Sequence, residues 1–148
     1  MPEIEIRRLC ENDIAAVVEL EKEAFGKEAW SENDFLETLK LDYAYYVVAC
    51  KKELIIGSSG LRNLCGEADI TNVVVSPKMR KKGVAEFMLQ ELMKYAAENL
   101  GVQSFTLEVR SKNVPAIKLY EKLGFVTEGV RKNFYTEPAD DALIMWKR

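Results

Sequence analysis

The sequence predicts a mixed α+β fold with about four helices and a central, twisted, mostly antiparallel sheet of about seven strands. Three short apolar runs follow one another between residues 43 and 75, which is typical of an antiparallel meander. The longest amphipathic stretch comes next, and another strand pattern follows it directly. The predicted order is therefore strand, helix, helix, three strands, helix, strand, helix and two strands.

The first strand and the first two helices are predicted from periodicity and capping residues. Ile4 and Ile6 alternate with charged residues, as in a half-buried strand. Asn12 or Asp13 can cap a helix that continues to about Phe25. The residues expected to face the core from this helix are Ile14, Val17, Val18 and Leu20. A Ser-x-x-Asp sequence that begins at residue 31 resembles a capping box for a second helix, which ends near residue 40.

The middle of the chain is expected to form the meander and a crossover. We place the three strands at Tyr43–Cys50, Leu54–Leu61 and Ala68–Val75. The longest helix then runs from Gly83 to about Asn99, and Gly101 is suited to its C-terminal cap. A strand at 104–109 follows. A right-handed crossover through the helix would make this strand a parallel neighbour of 68–75.

The last third of the chain is expected to hold one short helix and two strands. The helix runs from Asn113 to Leu123, because Pro115 is tolerated in a first turn. One strand runs from Gly124 to about Arg131, and the last spans residues 142–146. A polar loop, Lys132–Asp141, is expected between them.

Composition indicates one globular domain over residues 1–148 and limits the partners. The chain is 48% apolar and 30% charged, which is an ordinary globular balance. Its net charge of −3 argues against direct nucleic-acid binding. No apolar run approaches the roughly 20 residues that cross a bilayer, and the N-terminus lacks a signal-peptide core. We therefore expect a cytoplasmic protein that does not bind membranes.

The inventory of reactive side chains excludes several kinds of active site. Cys10, Cys50 and Cys65 have no metal-like spacing, so we expect reduced thiols and no bound metal. The sequence contains no histidine. A Ser-His or Cys-His nucleophile is therefore excluded, and a catalytic base must be another side chain or water.

The stretch 71–85, TNVVVSPKMRKKGVA, is the first motif that indicates a ligand. It joins an apolar strand to a basic loop that opens the longest helix. A helix N-terminus presents unpaired N–H groups and a partial positive charge, which suit a phosphate. Taken alone, the loop is better explained as a solvated basic turn, because charged residues are mostly exposed. Neither Gly-x-Gly-x-x-Gly nor Gly-x4-Gly-Lys-Ser/Thr occurs, so the dinucleotide fold and the P-loop are not indicated.

A second motif makes the pattern specific. Residues 107–125 read LEVRSKNVPAIKLYEKLGF, and Arg-x-x-Gly-x-Ala occupies 80–85. Together these segments resemble the GNAT acetyltransferases over nearly the whole chain. More narrowly, they are similar to the bacterial ribosomal-protein-alanine N-acetyltransferases. The chain departs from that pattern at Ala85, at Phe134 and at residues 27–29 before Trp30.

The resemblance implies a role for each matching residue. The backbone of 73–75 should pair with the pantetheine arm of acetyl-CoA, and the loop 80–86 should hold the pyrophosphate. The residues expected to bind the coenzyme are Val73, Val74, Val75, Arg80, Lys81, Lys82, Gly83, Val84, Ala85, Glu86 and Asn113. Glu108 should be the general base, acting through water, and Tyr120 the general acid. The candidates for substrate contact are Trp30, Tyr43 and Tyr135, although aromatic residues more often serve in packing.

The residues themselves leave alternatives open at these positions. Glu108 lies between two apolar strand residues and faces the other way, so burial would make it a stronger base. The same pattern fits a solvent-facing carboxylate on a half-exposed strand. Tyr120 fits a packed core residue that is also protonated at neutral pH. Asn113 can cap a helix instead of contacting the coenzyme, and Arg110 is expected to be structural.

We interpret the sequence as an acetyl-CoA-dependent N-acetyltransferase that acts directly on a protein N-terminal α-amine, such as that of a ribosomal protein. Near pH 7.4, roughly a third of such amines are neutral, against about 0.1% of lysine amines. A modest base therefore suits an N-terminal acceptor. The alternatives are acetylation of a small-molecule amine, a non-catalytic acyl-CoA-binding module and nucleic-acid binding through the basic loop. The sequence leaves the acceptor, the kinetic order and the oligomeric state open.

Overall fold

One seven-stranded sheet organises the computed structural model, which describes residues 3–148. Its strands are β1 (Ile4–Arg8), β2 (Ala44–Lys51), β3 (Leu54–Leu64), β4 (Glu67–Val75), β5 (Ser104–Arg110), β6 (Val126–Thr136) and β7 (Ala139–Lys147). Their spatial order is β1-β2-β3-β4-β5-β7-β6. The β4–β5 pair is parallel and the other neighbouring pairs are antiparallel. The predicted sheet and its crossover are thereby confirmed.

The same described residues form four α-helices, which cover the two faces of the sheet. They are α1 (Ile14–Phe25), α2 (Glu32–Leu39), α3 (Val84–Asn99) and α4 (Val114–Lys122). One core lies between the sheet and α3 and α4, and a second lies beneath α1 and α2. None of the helices within residues 3–148 combines the length and apolar character that crossing a membrane requires.

The capping box of the second helix is confirmed, whereas Asp13 precedes the first helix without a side-chain capping hydrogen bond to it. The Ser31 hydroxyl accepts from the N–H of Asp34 at 3.1 Å, and the Asp34 carboxylate accepts from the N–H of Ser31 at 2.8 Å. On α1, the expected core residue Leu20 is only partly buried. The apolar stripe instead continues at i+7 from Ile14 with Glu21, which is 1% exposed.

The prediction of a polar loop at Lys132–Asp141 between the last two strands is wrong. Most of 132–141 belongs to strands, since β6 continues to Thr136 and β7 begins at Ala139. Cross-strand pairs such as Tyr135–Asp140 extend the ladder through residues of low strand propensity. Asp141 also accepts a hydrogen bond from the N–H of Asn133 at 2.8 Å. Tertiary pairing therefore overrides the local sequence signal in this hairpin.

An ion pair joins β1 to the start of α1 and gives a prediction about stability. The guanidinium of Arg7 donates to both carboxylate oxygens of Asp13 at 2.8 Å, and the N–H of Cys10 donates to the same carboxylate at 2.8 Å. The hydrogen bonds from Arg7 lower the pKa of Asp13. A lowered folded-state pKa stabilises the fold above the usual carboxyl pKa near 4, and this stabilisation is lost as the pH falls below about 4.

We expect Asp13→Asn to reduce the free energy of unfolding at neutral pH by about 1–2 kcal/mol. This loss is smaller than for a fully buried ion pair, because Arg7 is partly exposed to solvent. Urea denaturation of both proteins at neutral and acidic pH measures this difference. The difference should shrink in acid, where wild-type Asp13 is also uncharged. An equal difference at both pH values would show that the ion pair does not set the pH dependence.

Candidate active site

A cleft opens in the sheet where β4 and β5 stop pairing. Their parallel ladder ends at the pair Asp69–Thr106. Beyond that point β4 contains a bulge, at which its register with β3 shifts and Asn72 adopts a φ of +58°. The strands therefore diverge and leave a cavity of about 550 Å³ that both of them line.

Side chains from both faces of the sheet line this cleft. Leu107 and Val109 of β5 pack into the core beneath α3 and α4, so Glu108 between them points to the opposite face. Tyr120 lines the cleft from the face that α3 and α4 cover, and Trp30 lines it from the face that α1 and α2 cover. Two reactants can thus meet between the strands from opposite faces.

The end of β4 offers backbone groups to the open side of the cleft. The N–H of Ser76 donates to the carbonyl of Ile56 across β3 at 2.7 Å. Strand alternation then turns the N–H and C=O of Val75 and Val73 toward the gap. The Nε–H of Arg80 reaches the Val75 carbonyl at 3.4 Å, which agrees with this direction. The side chain of Val74 is buried in the core, so its backbone alone is available to a ligand.

The basic loop lies beyond the end of β4 and outside the lining of the cleft. Lys81 has a φ of +62° and Gly83 a φ of +80°. Alternating left-handed residues of this kind turn successive N–H groups to one side and favour anions. A Cβ added at Gly83 would meet nothing within 4 Å, so the backbone surface there is open.

The residues around Gly83 divide between exposed and packed positions. The exposed cationic residues are Arg80, Lys81 and Lys82. Val84 is buried, Ala85 is partly buried, and Glu86 forms an ion pair with Lys122 at 2.9 Å. The N–H groups of the first turn of α3 have no intrahelical partner. Open N–H groups, a small residue and flanking cations fit a pyrophosphate.

Glu108 faces the cleft, but the expectation that it is buried is wrong. Its side chain is 32% exposed, and its Oε2 lies 3.4 Å from the Nε of Arg131 on β6. Burial raises the pKa of Asp69, and the charge of Glu108 raises it further. The pKa of Tyr135 is raised by burial and then by Glu108. Glu108 is therefore within electrostatic reach of both groups and of water.

Tyr120 lies in the core on the α4 side of the cleft. It is 8% exposed and packs edge-on against Phe125, with ring centroids 6.0 Å apart. Burial raises the pKa of Tyr120 to about 12, and Tyr135 adds to the shift. The phenol is therefore protonated at neutral pH.

The other expected contact residues divide between the cleft and its surroundings. Trp30 and Tyr135 line the cleft, and the guanidinium of Arg110 stacks 4.0 Å from the Tyr135 ring. Tyr43 is 42% exposed and does not line the cleft. Asn113 lines the cleft, while its Oδ1 accepts from the N–H of Ala116 at 3.3 Å. The structure therefore brings Trp30, Tyr135 and Asn113 together, but not Tyr43.

Three carboxylates that line the cleft were not expected from the sequence, those of Glu21, Glu28 and Asp69. Glu21 occupies a core-facing position of the α1 stripe, and a charged residue there is the signal that could have identified it. Asp69 alternates with the buried Ala68 and Ile70 in an apolar strand. Arg110, which was expected to be structural, donates to the carboxylate of Glu28 at 2.6 Å and so joins β5 to the α1–α2 connection.

Comparisons with known proteins agree with this geometry. The family model described as acetyltransferase (GNAT) family matches residues 14–125. The chain is 34% identical to a candidate ribosomal protein bS18-alanine N-acetyltransferase of Bacillus subtilis (strain 168), over 95% of this chain and 93% of the relative. It is 30% identical to the ribosomal protein bS18-alanine N-acetyltransferase of Escherichia coli (strain K12), over 95% of this chain and 94% of that enzyme.

A solved structure extends the likeness to three dimensions. The crystal structure of the ribosomal-protein-S18-alanine N-acetyltransferase from Escherichia coli matches with a TM-score of 0.87 and 28% identity. The match covers 97% of this chain and 92% of that one. With the family model spanning most of its length, the chain belongs to the acetyltransferase (GNAT) family.

Proposed function

We propose that the protein transfers an acetyl group from acetyl-CoA to the α-amine of a protein N-terminus, and specifically to the N-terminal alanine of a small-subunit ribosomal protein. The observation that carries the proposal is the cleft through the sheet, with Glu108 facing one side and Tyr120 lining the other. A base and a proton donor on opposite faces suit a direct transfer between two substrates. The names of the relatives support the ribosomal acceptor.

The donor would occupy the α3–α4 side of the cleft. The open backbone at 73–75 fits an extended amide-bearing arm, since such groups pair as a strand does. The loop 80–86 fits the pyrophosphate through its N–H groups and cations. Asn113 can contact the coenzyme from the rim while it caps α4.

The acceptor would approach from the side of Glu108. Its amine nitrogen forms a bond to the acetyl carbon, and the carbon–sulfur bond of the thioester breaks. Glu108 takes the proton from the amine through water, which its partial exposure admits. None of the three cysteines lines the cleft, so the transfer needs no acetyl-cysteine step.

Tyr120 would stabilise the departing sulfur. Its pKa of about 12 is well above that of a thiol, near 8.5, so complete proton transfer to the thiolate is uphill. Donation of a hydrogen bond as charge develops on sulfur avoids that penalty. We therefore assign Tyr120 as a hydrogen-bond donor to the leaving group, in place of the general acid that the resemblance implies.

A panel of acceptors tests the proposed function. Wild-type protein is mixed with acetyl-CoA and, separately, with N-terminal alanine peptides, the same peptides blocked by acetylation, polyamines, aminoglycosides and free amino acids. Release of the thiol is measured. The proposal predicts turnover with free alanine termini and none with blocked ones. Faster turnover of a small amine would show that the acceptor is a small molecule and not a protein N-terminus. Acetyl-CoA binding without any turnover would favour a non-catalytic module.

Tyr120→Phe tests the donor side of the site. We expect kcat to fall by roughly tenfold to a thousandfold, because the hydrogen bond to the leaving sulfur is lost. Affinity for acetyl-CoA and the melting temperature should change little, since the ring still packs. Tyr45→Phe, on the sheet face beneath α3, serves as the matched control. Wild-type turnover by Tyr120→Phe would reduce Tyr120 to a packing residue.

A further inference from the structure

The buried carboxylate of Glu21 connects the two sides of the cleft. Its Oε1 accepts from the N–H of Trp30 at 3.1 Å, and its Oε2 accepts from the side-chain amide of Asn72 at 3.2 Å. No cationic side chain of residues 3–148 forms an ion pair with it. Glu21 therefore serves as a double acceptor between the α1–α2 connection and the β4 bulge.

Asn72 is the bulge residue, and its side chain is held at both ends. Its amide nitrogen donates to Glu21, while its Oδ1 accepts from the hydroxyl of Tyr46 at 3.1 Å. That hydroxyl also lies 2.7 Å from the Oγ1 of Thr71. The Tyr46 ring is fixed directly over Gly60, where an added Cβ would lie 2.2 Å from the ring. Because a carboxylate can only accept, it also dictates which way the Asn72 amide faces.

The backbone conformation of Asn72 that these hydrogen bonds hold would be strained for most residue types. The φ of Asn72 is +58°, a left-handed value that asparagine tolerates better than other residues that carry a Cβ. A one-residue change of register at this point would turn the following residues of β4 to the opposite faces. Those residues include Val73, which lines the cleft next to the bulge. We call the hydrogen-bonded group of Glu21, Asn72 and Tyr46 the clamp. It acts on β4, the strand with which the donor would pair.

We propose that Glu21 is a positioning residue, which holds the Asn72 bulge of β4 in the left-handed conformation that opens the cleft. This inference rests on the proposed function. Glu21 lines the cleft, but its side chain is almost fully enclosed, so the role inferred for it is to hold other groups in place. It acts through Asn72 on the donor strand and through Trp30 on the acceptor wall.

Substitutions at the two residues separate conformation from contact. Glu21→Gln should lower kcat and acetyl-CoA affinity by about tenfold to 100-fold, the scale of a small misplacement in a site. Asn72→Ala loses the clamp and strains φ, whereas Asn72→Gly loses the clamp but accepts φ +58° freely. Asn72→Gly should therefore retain about tenfold more activity than Asn72→Ala. Glu19→Gln, on the same helix and exposed, is the control.

Kinetics, calorimetry and amide hydrogen exchange of 72–75 are measured on the full chain. Faster exchange in Glu21→Gln, and a smaller Glu21→Gln defect in the Asn72→Gly background, support the clamp. Wild-type kinetics and exchange in a folded Glu21→Gln protein would overturn it, as would equal activity of Asn72→Gly and Asn72→Ala. Exchange does not depend on turnover, so an inactive wild-type protein would count against the proposed function alone.

Discussion

Glu108→Gln is expected to lower kcat by about 100- to 10,000-fold with acetyl-CoA affinity nearly unchanged. The amide keeps the shape of the side chain but cannot take the proton from the acceptor amine. The defect should shrink as the pH rises toward the pKa of the acceptor amine and beyond, where more of the amine is already neutral. Steady-state kinetics across this pH range, with calorimetry for acetyl-CoA, measure both effects.

Glu128→Gln is the matched control for this substitution. Glu128 lies in the same sheet, is similarly exposed and is paired with Arg148 at 2.8 Å, as Glu108 is paired with Arg131. It does not line the cleft. The control should keep wild-type kinetics. If Glu108→Gln did so too, Glu108 would not be the base, and Asp69, a carboxylate that lines the same cleft and whose pKa Glu108 raises, would be tested next.

Gly83→Glu is expected to weaken acetyl-CoA binding by about 100-fold or more. The added carboxylate would enter the open space at the start of α3 and repel the pyrophosphate, at about 4 kcal/mol for charges ~4 Å apart in an effective dielectric of ~20. It would also oppose the favourable interaction of the helix N-terminus with an anion. Calorimetry measures the affinity, and circular dichroism checks the fold.

Two variants separate the charge from backbone strain. Gly83→Ala adds a Cβ at the same φ of +80° without a charge, so it should bind acetyl-CoA much better than Gly83→Glu. Gly101→Glu places the same side chain at a glycine with φ +70° and equally open space, after the other end of α3. It should bind acetyl-CoA as wild type does. Unchanged affinity of Gly83→Glu for acetyl-CoA would show that the loop 80–86 does not bind the coenzyme.

Local signals were sufficient for most of the fold. The capping box at Ser31 and the crossover between β4 and β5 follow directly from residue order and spacing. The end of β6 did not, because its polar residues become strand only through pairing with β7. The carboxylate of Glu108 was expected to be buried, but it is partly exposed and lies beside Arg131 of β6. Such features are set by tertiary contacts that no single segment encodes.

The candidate site was predictable where the chemistry lies in a motif. The positions of Glu108, Tyr120 and Asn113 around one cleft agree with the expectation from 107–125. Glu21 was missed because its apolar neighbours on α1 suggested only a core stripe. The bulge at Asn72 was missed because one asparagine in a strand segment does not by itself indicate a change of register.

Direct transfer from acetyl-CoA to an N-terminal α-amine can be tested with a single peptide that carries both an N-terminal alanine and an internal lysine. The protein is given this peptide together with isotopically labelled acetyl-CoA. Tandem mass spectrometry then locates the labelled acetyl group. The proposed function predicts a label on the α-amine of alanine and an unmodified lysine side chain. A label on the lysine, or no labelled peptide beside an active small-amine reaction, would contradict it.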